Sequence, residues 1–104
     1  MCNSKILYQN ENGCVARCRT CNHIKVLFST TSFTLTEQQF YEFTDVMKEH
    51  YDGNKHQIEN CRCIPIPTIA PSIQLLYSLL ELKALIKILD EAYLSLQVEK
   101  LLQS

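Results

Sequence analysis

The stretch that most constrains this chain is Cys18-Arg19-Thr20-Cys21-Asn22-His23, which runs directly into Ile24-Lys25-Val26-Leu27-Phe28. Two cysteines separated by two residues form the commonest local chelate for a tetrahedral metal, because the turn between them aims both sulfurs the same way. The β-branched, aromatic run behind them is strand material. A second pair, Cys61-Arg62-Cys63, precedes Ile64-Pro65-Ile66-Pro67. Alternation along an extended segment puts Cys61 and Cys63 on one face and Arg62 on the other. The pattern predicts one metal site with Cys18, Cys21, Cys61 and Cys63 as ligands and zinc as the metal. Four thiolates leave no open coordination position, so the expected role of the ion is structural and the chain is not expected to be an enzyme.

Compartment and class follow from composition. A chain of 104 residues is expected to form a single domain, residues 1–104, with enough core to fold without obligatory staples. A hydrophobic fraction of 46 % with 20 % charged residues is globular, and a net charge of −1 supplies no global field for nucleic acid or an anionic membrane. Met1-Cys2-Asn3-Ser4-Lys5 lacks the apolar core of a signal peptide, and no run approaches the roughly 18 apolar residues of a membrane helix. A cytoplasmic location without a membrane partner is the expectation. Thiols there stay reduced, which favours metal or redox roles for the six cysteines over a disulfide framework.

The order of elements is legible. Residues 5–9 read as a strand, Asn12-Gly13 as a hairpin tip, and 14–17 as the returning strand. Residues 24–29 and 33–35 read as a second hairpin turning at Thr30-Thr31-Ser32. Thr36 with Gln39 makes a capping box, and Phe40, Phe43, Val46, Met47 and Tyr51 recur at helical spacing, predicting a helix over 37–50. An extended segment over 57–68 is confined to a sheet edge by Pro65 and Pro67. Residues 73–77 read as a strand, and Ser78 with Glu81 caps a helix over 79–101. Leu75, Leu79, Leu82, Ile86, Leu89, Tyr93 and Leu96 step by four and three like a coiled-coil seam, but the apolar face is wider than a seam and reads better as core.

A shift of 42 residues lays the second half on the first. Cys21 falls on Cys63, Leu35 on Tyr77, Thr36 on Ser78, Gln39 on Glu81, Phe43 on Leu85 and Met47 on Leu89. The fold expected is therefore α+β, with two ββα-like units over about 14–52 and 57–102 in a small, mainly antiparallel sheet carrying two helices. A pseudo-two-fold between the units is expected to bring the two cysteine pairs to one axis.

Other cysteine and histidine readings are secondary. Cys14 or His23 offers a replacement ligand, Cys2 reads as a terminal thiol, and His50 and His56 as solvated. Cys14, Cys18 and Cys21 repeat the spacing of radical SAM clusters, a reading excluded by chain length; an iron–sulfur cluster held another way is an alternative to zinc. Arg17, Arg19, Lys25 and Arg62 surround the cysteines without an intervening acid in sequence. Three functions follow: a zinc-stabilised protein-interaction module is the leading one, a nucleic-acid-binding ribbon using those cations the second, and a thiol redox protein using Cys18 and Cys21 the third. Leu80, Leu94, Val98, Leu101 and Leu102 exceed what one other helix can cover, which predicts a homodimer through the second helix.

Residues 18–28, Leu35-Thr36, Ile66-Pro67-Thr68, Leu80-Glu81-Leu82-Lys83-Ala84-Leu85 and Asp90-Glu91-Ala92 resemble a family of small Bacteroidota proteins without assigned function. The resemblance implies a small bacterial cytoplasmic protein and no particular activity. The knuckle is also similar to that of zinc ribbons, with Asn22 where they commonly carry glycine. Asparagine tolerates the left-handed backbone such a turn requires.

Overall fold

The computed structural model describes residues 4–56, 61, 62, 64–67, 72 and 74–103. Four strands form an antiparallel meander: β1 (Ser4–Asn10), β2 (Gly13–Cys18), β3 (Ile24–Phe28) and β4 (Thr31–Leu35). Helix α1 (Glu37–Gly53) follows, then a two-stranded antiparallel sheet of β5 (Ile64–Pro67) and β6 (Gln74–Tyr77), and finally α2 (Leu79–Gln103). The architecture is α+β, as expected.

Local chemistry explains the turns. Asn10 Oδ1 accepts hydrogen bonds from the backbone N–H groups of Asn12 (2.8 Å) and Gly13 (3.2 Å), which closes the first hairpin around Glu11-Asn12. Gly13 is thus already inside β2 rather than at the tip. Its lack of a side chain answers a shortage of room: a Cβ there would lie 2.3 Å from the Leu27 carbonyl oxygen and 3.3 Å from Ile88 Cδ1 of α2. The second turn is Ser29-Thr30, one residue earlier than expected, and Ser29 adopts φ 54° to make it. In β1 the register slips between Ile6 and Tyr8, and the extra residue, Leu7, is buried.

Both helices start where their capping boxes predict. The Gln39 N–H donates to Thr36 Oγ1 (3.1 Å) while the Thr36 N–H donates to Gln39 Oε1 (2.9 Å); Ser78 and Glu81 repeat the arrangement at 3.0 Å each way. Ile24, Val26 and Phe28 alternate inward along β3 and meet Phe40 and Met47 of α1 and Leu85, Ile88 and Leu89 of α2 in a common core. The Leu82, Leu89 and Leu96 row is core, as the wide apolar face implied, whereas Tyr93 turns aside to stack edge-on against Tyr41 at 5.6 Å. Ile64 and Ile66 are buried, and the Tyr77 ring meets Phe28 at 5.7 Å, tying the small sheet to the large one.

The helices run antiparallel. Glu37 at the start of α1 pairs with Lys100 at the end of α2, and Lys48 pairs with Asp90 at 2.8 Å. The order β3-β4-α1 recurs as β5-β6-α2, with β4 matching β6 and cap matching cap. Pairing differs by two residues: Ile24 faces Leu35, while Ile64, not Ile66, faces Tyr77.

A candidate metal knuckle

The knuckle is the connection between β2 and β3, and two backbone hydrogen bonds close it. Cys18 N–H donates to the His23 carbonyl (2.9 Å), and Asn22 N–H donates to the Cys18 carbonyl (2.9 Å). Within that loop the Cys21 N–H points at Cys18 Sγ, 3.4 Å away. An amide aimed at sulfur is a donor that favours negative charge on it. Asn22 takes φ 60°, the left-handed conformation anticipated for the residue that stands in place of glycine. Cys18 is buried and Cys21 exposed, so the chelate opens toward solvent on one side only.

Arg17 anchors this loop to α2. Its Nη1 donates to Glu99 Oε1 at 2.6 Å and its Nη2 to Asn22 Oδ1 at 3.1 Å, so one guanidinium spans helix and knuckle. Lys5 Nζ lies 3.2 Å from the other Glu99 oxygen. Burial alone would push the Glu99 carboxyl up, but the Lys5 ammonium and the Arg17 guanidinium outweigh it and hold the group below the usual carboxylate range. The cationic surroundings read from the sequence are therefore partly neutralised by an acid from 82 residues away. The signal for Glu99 was present: it stands in helical phase with Leu85, Ala92 and Leu96 on the buried face, where a carboxylate needs a partner.

Cys61, the described member of the second pair, sits elsewhere. Cys61 is exposed, and its neighbour Arg62 donates from Nε to Glu81 Oε1 at 3.0 Å, beside the first turn of α2. Burial would raise the Glu81 carboxyl, but the Ser78 backbone N–H and Arg62 prevail and lower it. Glu81 and Glu99 are 18 positions apart in one helix, roughly 27 Å at about 1.5 Å per residue. The knuckle is tied to one end of α2 and Cys61 to the other. Among the described residues no three His, Cys, Asp or Glu side chains converge where a metal ion could sit, so Cys61 is not brought to Cys18 and Cys21 within the chain. Cys63 and Cys2 lie outside the described residues.

The reason is the antiparallel packing of the two helices. Each cysteine pair precedes the hairpin that leads into its own helix, and antiparallel helices place their starts at opposite ends. The arrangement separates Cys61 from the knuckle instead of joining them. Cys14 stands between Gln9 and Leu27 in the middle of the large sheet, about 13 Å along β2 from Cys18, too far to replace a ligand. His23 is exposed and contributes its carbonyl to the loop, while His50 lends its carbonyl to Asn54 Nδ2 at 2.7 Å.

A family model for a family of unknown function, DUF6686, matches residues 1–103. The chain belongs to DUF6686. A comparison with curated proteins finds no match, and a comparison with solved structures finds none. Membership of DUF6686 therefore carries no activity with it. No helix among the described residues is long and apolar enough to cross a membrane.

Proposed function

We propose that this DUF6686 chain is a zinc-stabilised protein-interaction module, cytoplasmic and non-catalytic, in which Cys18 and Cys21 supply the first two thiolates of the site. The observation that carries the reading is the knuckle itself: the Cys21 N–H aimed at Cys18 Sγ and the left-handed Asn22 are what a chelating CxxC turn needs. Cys61 and Cys63 are the proposed second pair. Since Cys61 stands at the far end of α2 from the knuckle, a four-thiolate site takes its two pairs from two chains.

A bound zinc would crosslink the segments it joins. The nucleic-acid alternative loses ground, because Arg17 and Arg62 are each engaged by a carboxylate. Elemental analysis of reduced protein prepared without chelator tests the reading. About one zinc per chain is expected, falling sharply in Cys18→Ser and Cys21→Ser. Metal-free wild-type protein of full stability would end the proposal, and zinc retained in Cys61→Ser/Cys63→Ser would remove the second pair from it.

A further inference from the structure

Away from its buried face, α2 orders the excess apolar residues noted in the sequence into one row with two charges. Leu80, Ala84, Lys87, Glu91, Leu94 and Val98 step by four and three, with Leu101 as the next position. That is the spacing of a coiled-coil seam. Leu80, Leu94 and Val98 are 52, 58 and 55 % exposed, so more than half of each stands in solvent. Lys87 and Glu91 sit at the middle of the row, both exposed, and among the described residues neither forms an ion pair. A lysine and a glutamate inside an apolar seam weaken it unless each meets the other.

We infer that α2 pairs antiparallel with α2 of a second copy of this chain, in the single register that sets Lys87 against Glu91 of that copy. By two-fold symmetry the contact occurs twice. The same register sets Leu80 against Val98 and Ala84 against Leu94, again each twice, so large meets large or small and every charge in the row is matched. Slipping one heptad, two steps of the row, in either direction sets Lys87 against Ala84 or Val98 and Glu91 against Leu80 or Leu94, burying both charges against apolar groups, and slipping a single step sets Lys87 against Lys87 or Glu91 against Glu91. A parallel pair sets Lys87 against Lys87 and Glu91 against Glu91. The charge pattern thus selects both direction and register, the role polar seam residues play in coiled coils. This pairing involves no cysteine and stands whether or not the protein binds metal.

The test is exchange of the two charges, read by sedimentation equilibrium of the reduced full-length chain with chelator present. Wild-type protein at micromolar concentration should run at twice the 12.0 kDa chain mass. Lys87→Glu alone and Glu91→Lys alone each create two like-charge contacts and should raise the dissociation constant about ten-fold or more. Mixed in equal amounts, the chain acidic at both positions and the chain basic at both positions should recover a dimer, as should Lys87→Glu/Glu91→Lys by itself. A wild-type chain that stays at 12.0 kDa on concentration overturns the inference and leaves the row to a different partner. Single variants that dimerise like wild type, or a mixture that stays monomeric, overturn it equally.

Discussion

Arg17→Met is the most informative single substitution in the fold. The side chain is 13 % exposed and its partner Glu99 only 7 %, so the change strands a buried carboxylate whose remaining cation, Lys5, is 45 % exposed and half in solvent. Breaking a buried pair by removing one member costs about 3–5 kcal/mol, and the surviving Lys5 contact points to the lower end, about 3 kcal/mol. In a domain of this size each kcal/mol corresponds to roughly 4–8 °C of melting temperature, which predicts a fall of roughly 12–24 °C at neutral pH. The sign of the pH dependence is fixed by Glu99. Its carboxyl is lowered in the folded wild-type protein, so the pair's contribution is fully present above the unfolded carboxylate value of about 4.3 and is lost as pH falls through the lowered folded value. Urea unfolding of wild type and Arg17→Met at pH 7 and at about pH 3 should show a large gap that closes in acid. Arg17→Met/Glu99→Leu, which removes both charges, should recover most of the loss. A cost under about 1 kcal/mol at pH 7, the range of a solvent-exposed pair, or a cost unchanged in acid, would show that Glu99 is not held as described.

Three further substitutions probe the same architecture. Gly13→Ala forces a Cβ against the Leu27 carbonyl and Ile88, so the first hairpin and α2 must separate, at a cost of about 1–3 kcal/mol by chemical denaturation; a neutral result would mean the hairpin yields freely. Thr36→Ala and Ser78→Ala each remove a cap acceptor and should cost about 1 kcal/mol apiece, with the pair additive because the two caps lie at opposite ends of antiparallel helices.

The parts of the fold governed by local chemistry were readable in advance. Both capping boxes, the alternation of Ile24, Val26 and Phe28, and the left-handed Asn22 each depend on residues within a few positions of one another. Turn positions slipped where two local signals competed: Asn12-Gly13 suggested a tip, but Asn10 captured the turn with its side chain and left Gly13 to a long-range demand for space from Ile88. Glu99 and Arg17 are 82 residues apart, and no local pattern pairs them. That α2 carries more apolar residues than one neighbouring helix can cover was legible; that they share one row with Lys87 and Glu91 was not. Burial places Leu82, Leu89 and Leu96 in the core, as the wide apolar face implied, and the row from Leu80 to Val98, broken by two charges, then stands as a face of its own.

The separation of Cys61 from the knuckle and the exposed seam bear on each other. In the antiparallel register the end of one α2, where Arg17 ties the knuckle to Glu99, lies beside the beginning of the other, where Arg62 is tied to Glu81. Both anchoring carboxylates sit on the sheet side of the helix, and a two-fold perpendicular to the helix pair keeps the two sheet sides together. Pairing through the seam therefore moves Cys61 of the second copy toward the knuckle, whereas the fold of one chain holds its own Cys61 roughly a helix length away. If zinc is held by both cysteine pairs, its retention must depend on the dimer. Leu94→Glu, a substitution on the exposed seam that touches no cysteine, should then lower zinc content along with the dimer fraction and restore neither when zinc is added at low protein concentration. A Leu94→Glu protein that is monomeric yet keeps one zinc per chain would place all the ligands within a single chain and refute the two-chain site, while leaving the antiparallel dimer to stand on the charge-exchange experiment alone.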